Sequence, residues 1–221
     1  MSSSTFLDEP LPADPMPTFA LWLQAAREKA LQPNPDAMVL ATVDEHCQPS
    51  ARVVLCKRLV IDAGYLVFFT NYRSRKAREL DARACAAAVF HWDALHRQVR
   101  VEGRIMRSPV QESDEYFASR ALNSRLGAWA SDQSLPLASR QELADRILAA
   151  TSRFGLTPDA TQGEVPRPPH WGGFRLWIEL VELWVEGPGR VHDRAVWKRT
   201  LAPRDEFSFA ATDWVSTRLY T

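Results

Sequence analysis

The chain has 221 residues, 46% of them hydrophobic, which suits one folded unit with a substantial core. Lysine plus arginine total 27, as do aspartate plus glutamate, so the formal net charge is zero. That excludes the basic excess of a general nucleic-acid or polyanion binder and leaves anion binding to local clusters. No run of about 18 apolar residues is present to span a membrane. Met1–Glu9 lacks a secretory pattern, and Cys47, Cys56 and Cys85 share no metal-ligand spacing. A cytoplasmic protein with reduced thiols is expected.

Residues 1–17, with prolines at 10, 12, 15 and 17, read as an extended arm ahead of a single domain over 18–221. Phe19, Leu21, Trp22, Leu23, Ala26 and Ala30 form a helical stripe from Thr18 to Leu31, ended by Pro33 and Pro35. Strands are predicted at Met38–Val43, Ala51–Lys57 and Tyr65–Thr70, with turns at Asp44–Pro49 and Asp62–Gly64. A helix follows from Ser74 to Ala84, then strands at Ala86–His91 and Gln98–Arg107. Helices near Gln111–Ser119 and Ser139–Phe154 precede a proline-bearing loop, Gly155–Pro169. The last predicted strands are Phe174–Glu186, Arg190–Lys198 and Trp214–Leu219. This run of mainly antiparallel strands with a few helices points to a mainly β barrel with peripheral helices.

Three clusters have the chemistry of an anion site. In Asn71-Tyr-Arg-Ser-Arg-Lys-Ala-Arg78 a strand gives way to a helix. Arg75 and Lys76 in the first helical turn carry the wrong sign for an isolated helix, but the right one if a phosphate sits at its N-terminus. A solvated basic turn would read the same way. In Arg190-Val-His-Asp-Arg194, strand alternation would put Arg190, His192 and Arg194 on one face, successive members roughly 6.5–7 Å apart. Tyr116, Arg120 and Ser124 have helical spacing if one helix runs through Ala121-Leu-Asn123, and they make a donor set suited to a second phosphate. Arg52 and Lys57 flank an apolar run, and alternation places them on opposite faces. Gln98 is polar on the outward face of its strand and has no partner fixed by pattern. No dinucleotide fingerprint, P-loop, hydrolase elbow or zinc motif is present, and the histidines at 46, 91, 96, 170 and 192 show no metal spacing.

Six strings in order resemble the pyridoxamine 5′-phosphate oxidase family. They are Arg52-Val-Val-Leu-Cys-Lys57, Phe69-Thr-Asn-Tyr-Arg-Ser-Arg-Lys76, Arg97-Gln-Val-Arg-Val-Glu-Gly103, Gly127-Ala-Trp-Ala-Ser-Asp-Gln-Ser134, Trp171-Gly-Gly-Phe174 and Arg190-Val-His-Asp-Arg194. The resemblance implies an FMN-binding split β-barrel that forms a homodimer, with flavin sites at the subunit interface. It implies FMN phosphate or ribityl ligands at Arg52, Arg75, Lys76 and Ser134. The flavin would be lined by Val53, Val54, Leu55, Cys56, Lys57, Phe69 and Thr70, and further contacted by Gln98, Gln133, Trp184 and Arg194. Lys57, Tyr116, Arg120 and Ser124 would hold a substrate phosphate, with Arg190 and His192 against the pyridine ring as the catalytic pair. No metal is implied.

The implied chemistry is oxidation at C4′ of pyridoxine or pyridoxamine 5′-phosphate. Hydride passes to the flavin N5, and O₂ reoxidises the flavin to give hydrogen peroxide. The family commonly has proline where this chain has Ala121, and glutamine where it has Arg125; Asp8 and Glu9 replace a basic segment, and the chain reads Arg218-Leu-Tyr-Thr221 where Arg-Leu-x-Pro is usual. Those departures leave open a related FMN-dependent oxidase of secondary metabolism, of the phenazine-biosynthesis type, or a non-catalytic flavin-binding protein.

Overall fold

A computed structural model describes residues 6–221; Met1–Thr5, and with them the Ser2–Ser4 triplet and the start of the expected arm, lie outside the described residues. Helix α1 (Met16–Lys29) begins at Met16 rather than Thr18. Pro17 fits the first helical turn, where its missing N–H costs no hydrogen bond. Helix α1 buries Met16, Phe19, Trp22, Leu23 and Ala26 in the main core, Phe19 meeting Phe90 edge-on with centroids 5.2 Å apart.

The strands that follow are β1 (Ala37–Val43), β2 (Pro49–Leu55), β3 (Arg58–Val60) and β4 (Tyr65–Asn71), then helix α2 (Arg75–Ala82). Strands β5 (Cys85–Trp92) and β6 (Arg97–Arg107) lead into helices α3 (Val110–Ala118), α4 (Leu122–Ala130) and α5 (Arg140–Arg153). The chain closes with β7 (Trp171–Val185), β8 (Asp193–Lys198), β9 (Leu201–Asp205), β10 (Ser208–Ala211) and β11 (Val215–Arg218).

Nine strands make one antiparallel sheet, in the order β11-β8-β7-β6-β5-β1-β2, with β4 and β3 branching from β7. One edge of β7 pairs with β6 along most of its length. The other edge pairs with β4 over Trp171–Trp177 and with β8 over Leu180–Val185. The sheet therefore forks at β7. The Lys57 N–H then donates to Val67 O at 2.8 Å, bringing the end of β2 back against β4 and curling the sheet into a half-barrel. Inward-facing Leu40, Phe68, Phe90, Val99, Val101, Leu176, Val181 and Leu183 fill it, as period-two alternation requires. The outward face of the β1–β2 edge is apolar yet open, with Val53 64% and Val39 43% exposed.

Three sequence expectations are corrected. The strand expected from Arg190 starts at Asp193, because Gly187-Pro188-Gly189 turns the chain in a single 3₁₀ turn and Arg190 itself has φ 65°. Alternation consequently does not relate Arg190 to His192 or Arg194. One continuous helix does not carry Tyr116, Arg120 and Ser124: α3 caps at Ser119, and Ala121, with φ −54° and ψ 143°, opens α4. The β9–β10 hairpin, with Pro203 inside β9, was not among the predicted strands.

Register slips between Glu102 and Gly103 where β6 meets β7, and the backbones close up there. A Cβ on Gly103 would lie 1.9 Å from the Trp177 carbonyl oxygen, while one on Gly127 in α4 would meet nothing within 4 Å. Gly103→Ala should therefore lower stability by roughly 2–3 kcal/mol, whereas Gly127→Ala should raise it by about 0.5–1 kcal/mol. Urea midpoints for both variants check this; a Gly103→Ala midpoint at or above the parent's would contradict the packing argument.

Candidate functional site

A cavity of about 840 Å³ opens between β2, β4, the start of α2, and the α3–α4 region. Its size is that of a cleft for a cofactor-sized molecule. The wall carries Arg52, Val53, Val54, Leu55, Lys57, Phe69, Thr70, Arg75 and Lys76 from the barrel side. Tyr116, Arg120, Ser124, Gln133, Ser134 and Trp171 complete it. Two of the three clusters singled out from sequence thus share one space. Lys57 joins Arg52 there despite the expected opposite faces, because β2 ends at Leu55 and the chain turns before Lys57 pairs with Val67.

The barrel-side cations are organised by Glu79, which the sequence reading did not single out. Its side chain is only 4% exposed. It accepts hydrogen bonds from Thr42 Oγ1, from Ser50 Oγ at 2.7 Å, from Arg52 Nη2 at 3.2 Å and from Arg75 Nε at 2.8 Å. Burial alone would push this carboxyl up, but the bonds from Thr42, Ser50 and Arg75 and the Arg52 charge outweigh it and hold the pKa at about 2. The signal that could have found it is the four-residue step from Arg75 to Glu79 on one helical face.

Lys76 is 9% exposed and donates to Thr70 Oγ1 at 3.1 Å, Ser74 Oγ at 3.3 Å and Gln133 Oε1 at 3.1 Å. These are neutral acceptors. Burial, and then repulsion from Arg52, lower its pKa to about 8 against the pull of Glu79. Helix α2 has no side-chain cap and no acidic residue in its first turn, so its N-terminal N–H groups keep their partial positive charge beside these cations.

Around the second set, Phe69 and Tyr116 stack with centroids 4.0 Å apart, and both lie nearly parallel to Trp171. Arg120 Nη1 is buried without a hydrogen-bond partner, and burial lowers the guanidinium's pKa. An orphaned charged donor on a cavity wall suits an incoming anion. Trp171 was absent from the residues proposed from sequence.

Cys56 is fully buried with its side chain in the main core, and burial pushes its thiol up to about 12. Any contact it makes with the cavity is therefore through its backbone. Gln98, Trp184, His192, Arg194 and Arg190 do not line this cavity. Gln98 pairs with Trp184 across the β6–β7 ladder and Trp184 with Arg194 across β7–β8, while the Trp184 and His192 rings lie 4.6 Å apart. Glu182, 5% exposed, binds Arg100 at 3.1 Å and Arg194 at 2.9 Å, leaving Arg194 Nε buried and unpartnered. Gln98, Trp184, His192, Arg194, Glu182 and Arg100 form a second cluster at the sheet, while Arg190 sits in the turn before β8. Among the described residues no group of histidine, cysteine and acidic side chains is placed to hold a metal, and no helix is long and apolar enough to cross a membrane.

Lys76 makes a pH prediction. Below pH 8 it is charged and attracts an anion; above pH 8 the free protein holds it neutral, and binding must first protonate it. Affinity of the flavin-free protein for inorganic phosphate, mainly a dianion from pH 8 upward, should fall about tenfold from pH 8 to pH 9.5. Lys76→Arg, charged throughout, should flatten the profile. Calorimetric titration across that range decides it, and a level parent profile would refute the assignment.

Residues 24–153 match the pyridoxamine 5′-phosphate oxidase family, and residues 171–221 match the pyridoxine 5′-phosphate oxidase C-terminal dimerisation region. The pyridoxine/pyridoxamine 5′-phosphate oxidases of Paraburkholderia phytofirmans and Burkholderia ambifaria are 48% and 47% identical over 206 residues, which span 93% of this chain and 88% of each relative. Among solved structures, PhzG from Burkholderia lata, in complex with tetrahydrophenazine-1-carboxylic acid, superposes with a TM-score of 0.81 at 25% identity over 100% of this chain and 98% of its own. A pyridoxamine 5′-phosphate oxidase-related, FMN-binding protein from Nostoc punctiforme shares the fold, with a TM-score of 0.67 at 17% identity over 95% of this chain and 98% of its own. With a matching family model over more than half its length and relatives at nearly half identity, this split-barrel chain belongs to the pyridoxamine 5′-phosphate oxidase family.

Proposed function

We propose that the chain is an FMN-dependent oxidase of pyridoxine and pyridoxamine 5′-phosphate, acting as a homodimer in the cytoplasm with O₂ as acceptor. The observation that carries this reading is the sharing of one cavity by two separate anion-binding sets, Arg52–Arg75–Lys76 and Lys57–Tyr116–Arg120–Ser124. A flavin carrier needs only the first.

The residues present fit FMN. Arg52, Arg75, Lys76 and Ser134 supply charge-assisted donors for one phosphate, beside the uncapped start of α2. Val53, Val54, Leu55 and Phe69 give an apolar wall suited to a flat ring. When bound, FMN would supply the hydride acceptor and its reoxidation by O₂. The chain's part is orientation. Lys57, Tyr116, Arg120 and Ser124 would anchor the substrate phosphate, and that remote binding energy would fix C4′ for transfer. Arg190 and His192 would hold the pyridine ring, with His192 accepting or passing the proton released from the C4′ substituent.

The geometry of β7 supports a composite site. Trp171 stands at its start, in the cavity, and Trp184 near its end, in the second cluster. Thirteen residue steps of strand span about 40 Å. Gln98, Trp184, Arg190, His192 and Arg194 would therefore complete the cavity of a second copy. The match to a dimerisation region and the open apolar β1–β2 edge agree with that.

A second reading is favoured by the likeness to PhzG and by Ala121 and Arg125: oxidation of another reduced ring, of the phenazine type. Such a substrate carries no phosphate and would engage Arg120 through a carboxylate instead.

The purified protein should be yellow, with about one FMN per chain. It should consume O₂ with pyridoxine and pyridoxamine phosphates far faster than with the unphosphorylated vitamins. Arg190→Met removes charge and donors but keeps the apolar stem. It should slow anaerobic flavin reduction at least about tenfold with FMN and dimer retained. Protein that takes up no FMN, or oxidises only unphosphorylated rings, overturns the proposal.

A further inference from the structure

The cavity's two cation sets are held by opposite means. Glu79 pins Arg52 and Arg75, and elsewhere Glu112 pins Arg58 and Arg175. Among the described residues Arg120 makes no ion pair, and its Nη1 is buried without a hydrogen bond. What holds its guanidinium is aromatic: its central carbon lies 4.6 Å from the Trp171 ring centroid and 5.4 Å from that of Phe117. Trp171 is 6% exposed and is itself set by Phe117, which meets it at 68° with centroids 5.0 Å apart. The same indole lies 11° from parallel to Tyr116 and 7° from parallel to Phe69, which stacks on Tyr116.

A carboxylate occupies part of a guanidinium's N–H edge, where an anionic ligand must bind, and offsets some of its charge. An aromatic face meets it through the ring quadrupole and cancels none of that charge. A guanidinium held this way is oriented and still available. We propose that Trp171 is a positioning and specificity-determining residue for the phosphate of the substrate, placing Arg120 by cation–π contact and, with Phe69 at 4.0 Å from Tyr116 and 5.6 Å from Trp171, holding Tyr116 in a parallel aromatic group, so that both offer their donors to one phosphate monoester. This inference rests on the proposed function for the identity of the substrate, but not for the phosphate itself.

The test uses FMN-loaded protein and the variants Trp171→Leu, which removes the plate, and Trp171→Phe, which keeps a smaller one. Trp171→Leu should raise KM for pyridoxine 5′-phosphate and weaken inorganic phosphate binding, read by calorimetry, by at least about fivefold. FMN content should stay within about twofold of the parent, kcat/KM for pyridoxine 5′-phosphate should fall by at least the same factor as phosphate affinity, and kcat/KM for unphosphorylated pyridoxine should not move. Trp171→Phe should recover most of the loss. Equal shifts for phosphorylated and unphosphorylated substrate, unaltered phosphate affinity, or a phenylalanine variant no better than leucine overturns the inference. If the parent does not oxidise pyridoxine 5′-phosphate, the functional reading fails, and inorganic phosphate binding alone decides the role of Trp171 by the same fivefold criterion. Should Trp171→Leu lose its fold or flavin, Trp171→Phe is combined with Arg120→Lys. Their effects on phosphate affinity should then be less than additive because they remove the same contact. Full additivity overturns the proposal.

Discussion

Donors from three elements converge on the carboxylate of Glu79: Thr42 in β1, Ser50 and Arg52 in β2, and Arg75 in its own helix α2. Arg52, Arg75 and Lys76 crowded onto one wall would repel one another by some kcal/mol each at an intermediate dielectric. With Glu79 among them the three cations less one carboxylate leave two positive charges, matching a phosphate monoester dianion. The same bonds tie α2 to the β1–β2 hairpin, so the charge arrangement and the local fold are one constraint. A buried pair that lost its carboxylate would leave the guanidinium of Arg52 uncompensated, a costly state.

The rest of the architecture distributes chemistry along β7. This strand pairs with β6 on one edge and with both β4 and β8 on the other, so it is the only described strand with three neighbours in the sheet. Its first residue, Trp171, lines the cavity, while its last carry Trp184 beside His192 and Arg194. A strand this long keeps Trp184, His192 and Arg194 away from the cavity that Trp171 lines.

Most of the fold was legible because β1, β5 and β6 alternate over one buried face, β4 and β7 read as near-continuous apolar runs, and α1 carries a clear apolar stripe. Boundaries failed where local chemistry overrode pattern. Pro17 entered α1, and Gly187-Pro188-Gly189 turned the chain so that Arg190 left the strand expected to present it. Tyr116, Arg120 and Ser124, grouped by spacing, do line one cavity, although the helix assumed to carry them breaks at Ser119–Ala121 and the break still directs all three at the same space. Glu79 was missed because a lone acid after a basic run reads as a solvated helix face. Its burial depends on Thr42 and Ser50, far off in sequence.

The two anion sets differ in a way that suits different tenancies. The set built around Glu79 is already hydrogen-bonded before any ligand arrives: its side-chain ordering is complete in the folded chain, and little entropy remains to be lost on binding. Such preorganisation favours a ligand that stays. Arg120 is oriented by flat, weak contacts and keeps an unsatisfied donor. It gains much when an anion binds, but through fewer fixed partners, and its aromatic supports do not have to be broken for the anion to leave. A long-held phosphate on one side and an exchangeable one on the other is the division of labour that the proposed FMN-dependent oxidation of a phosphorylated substrate would require.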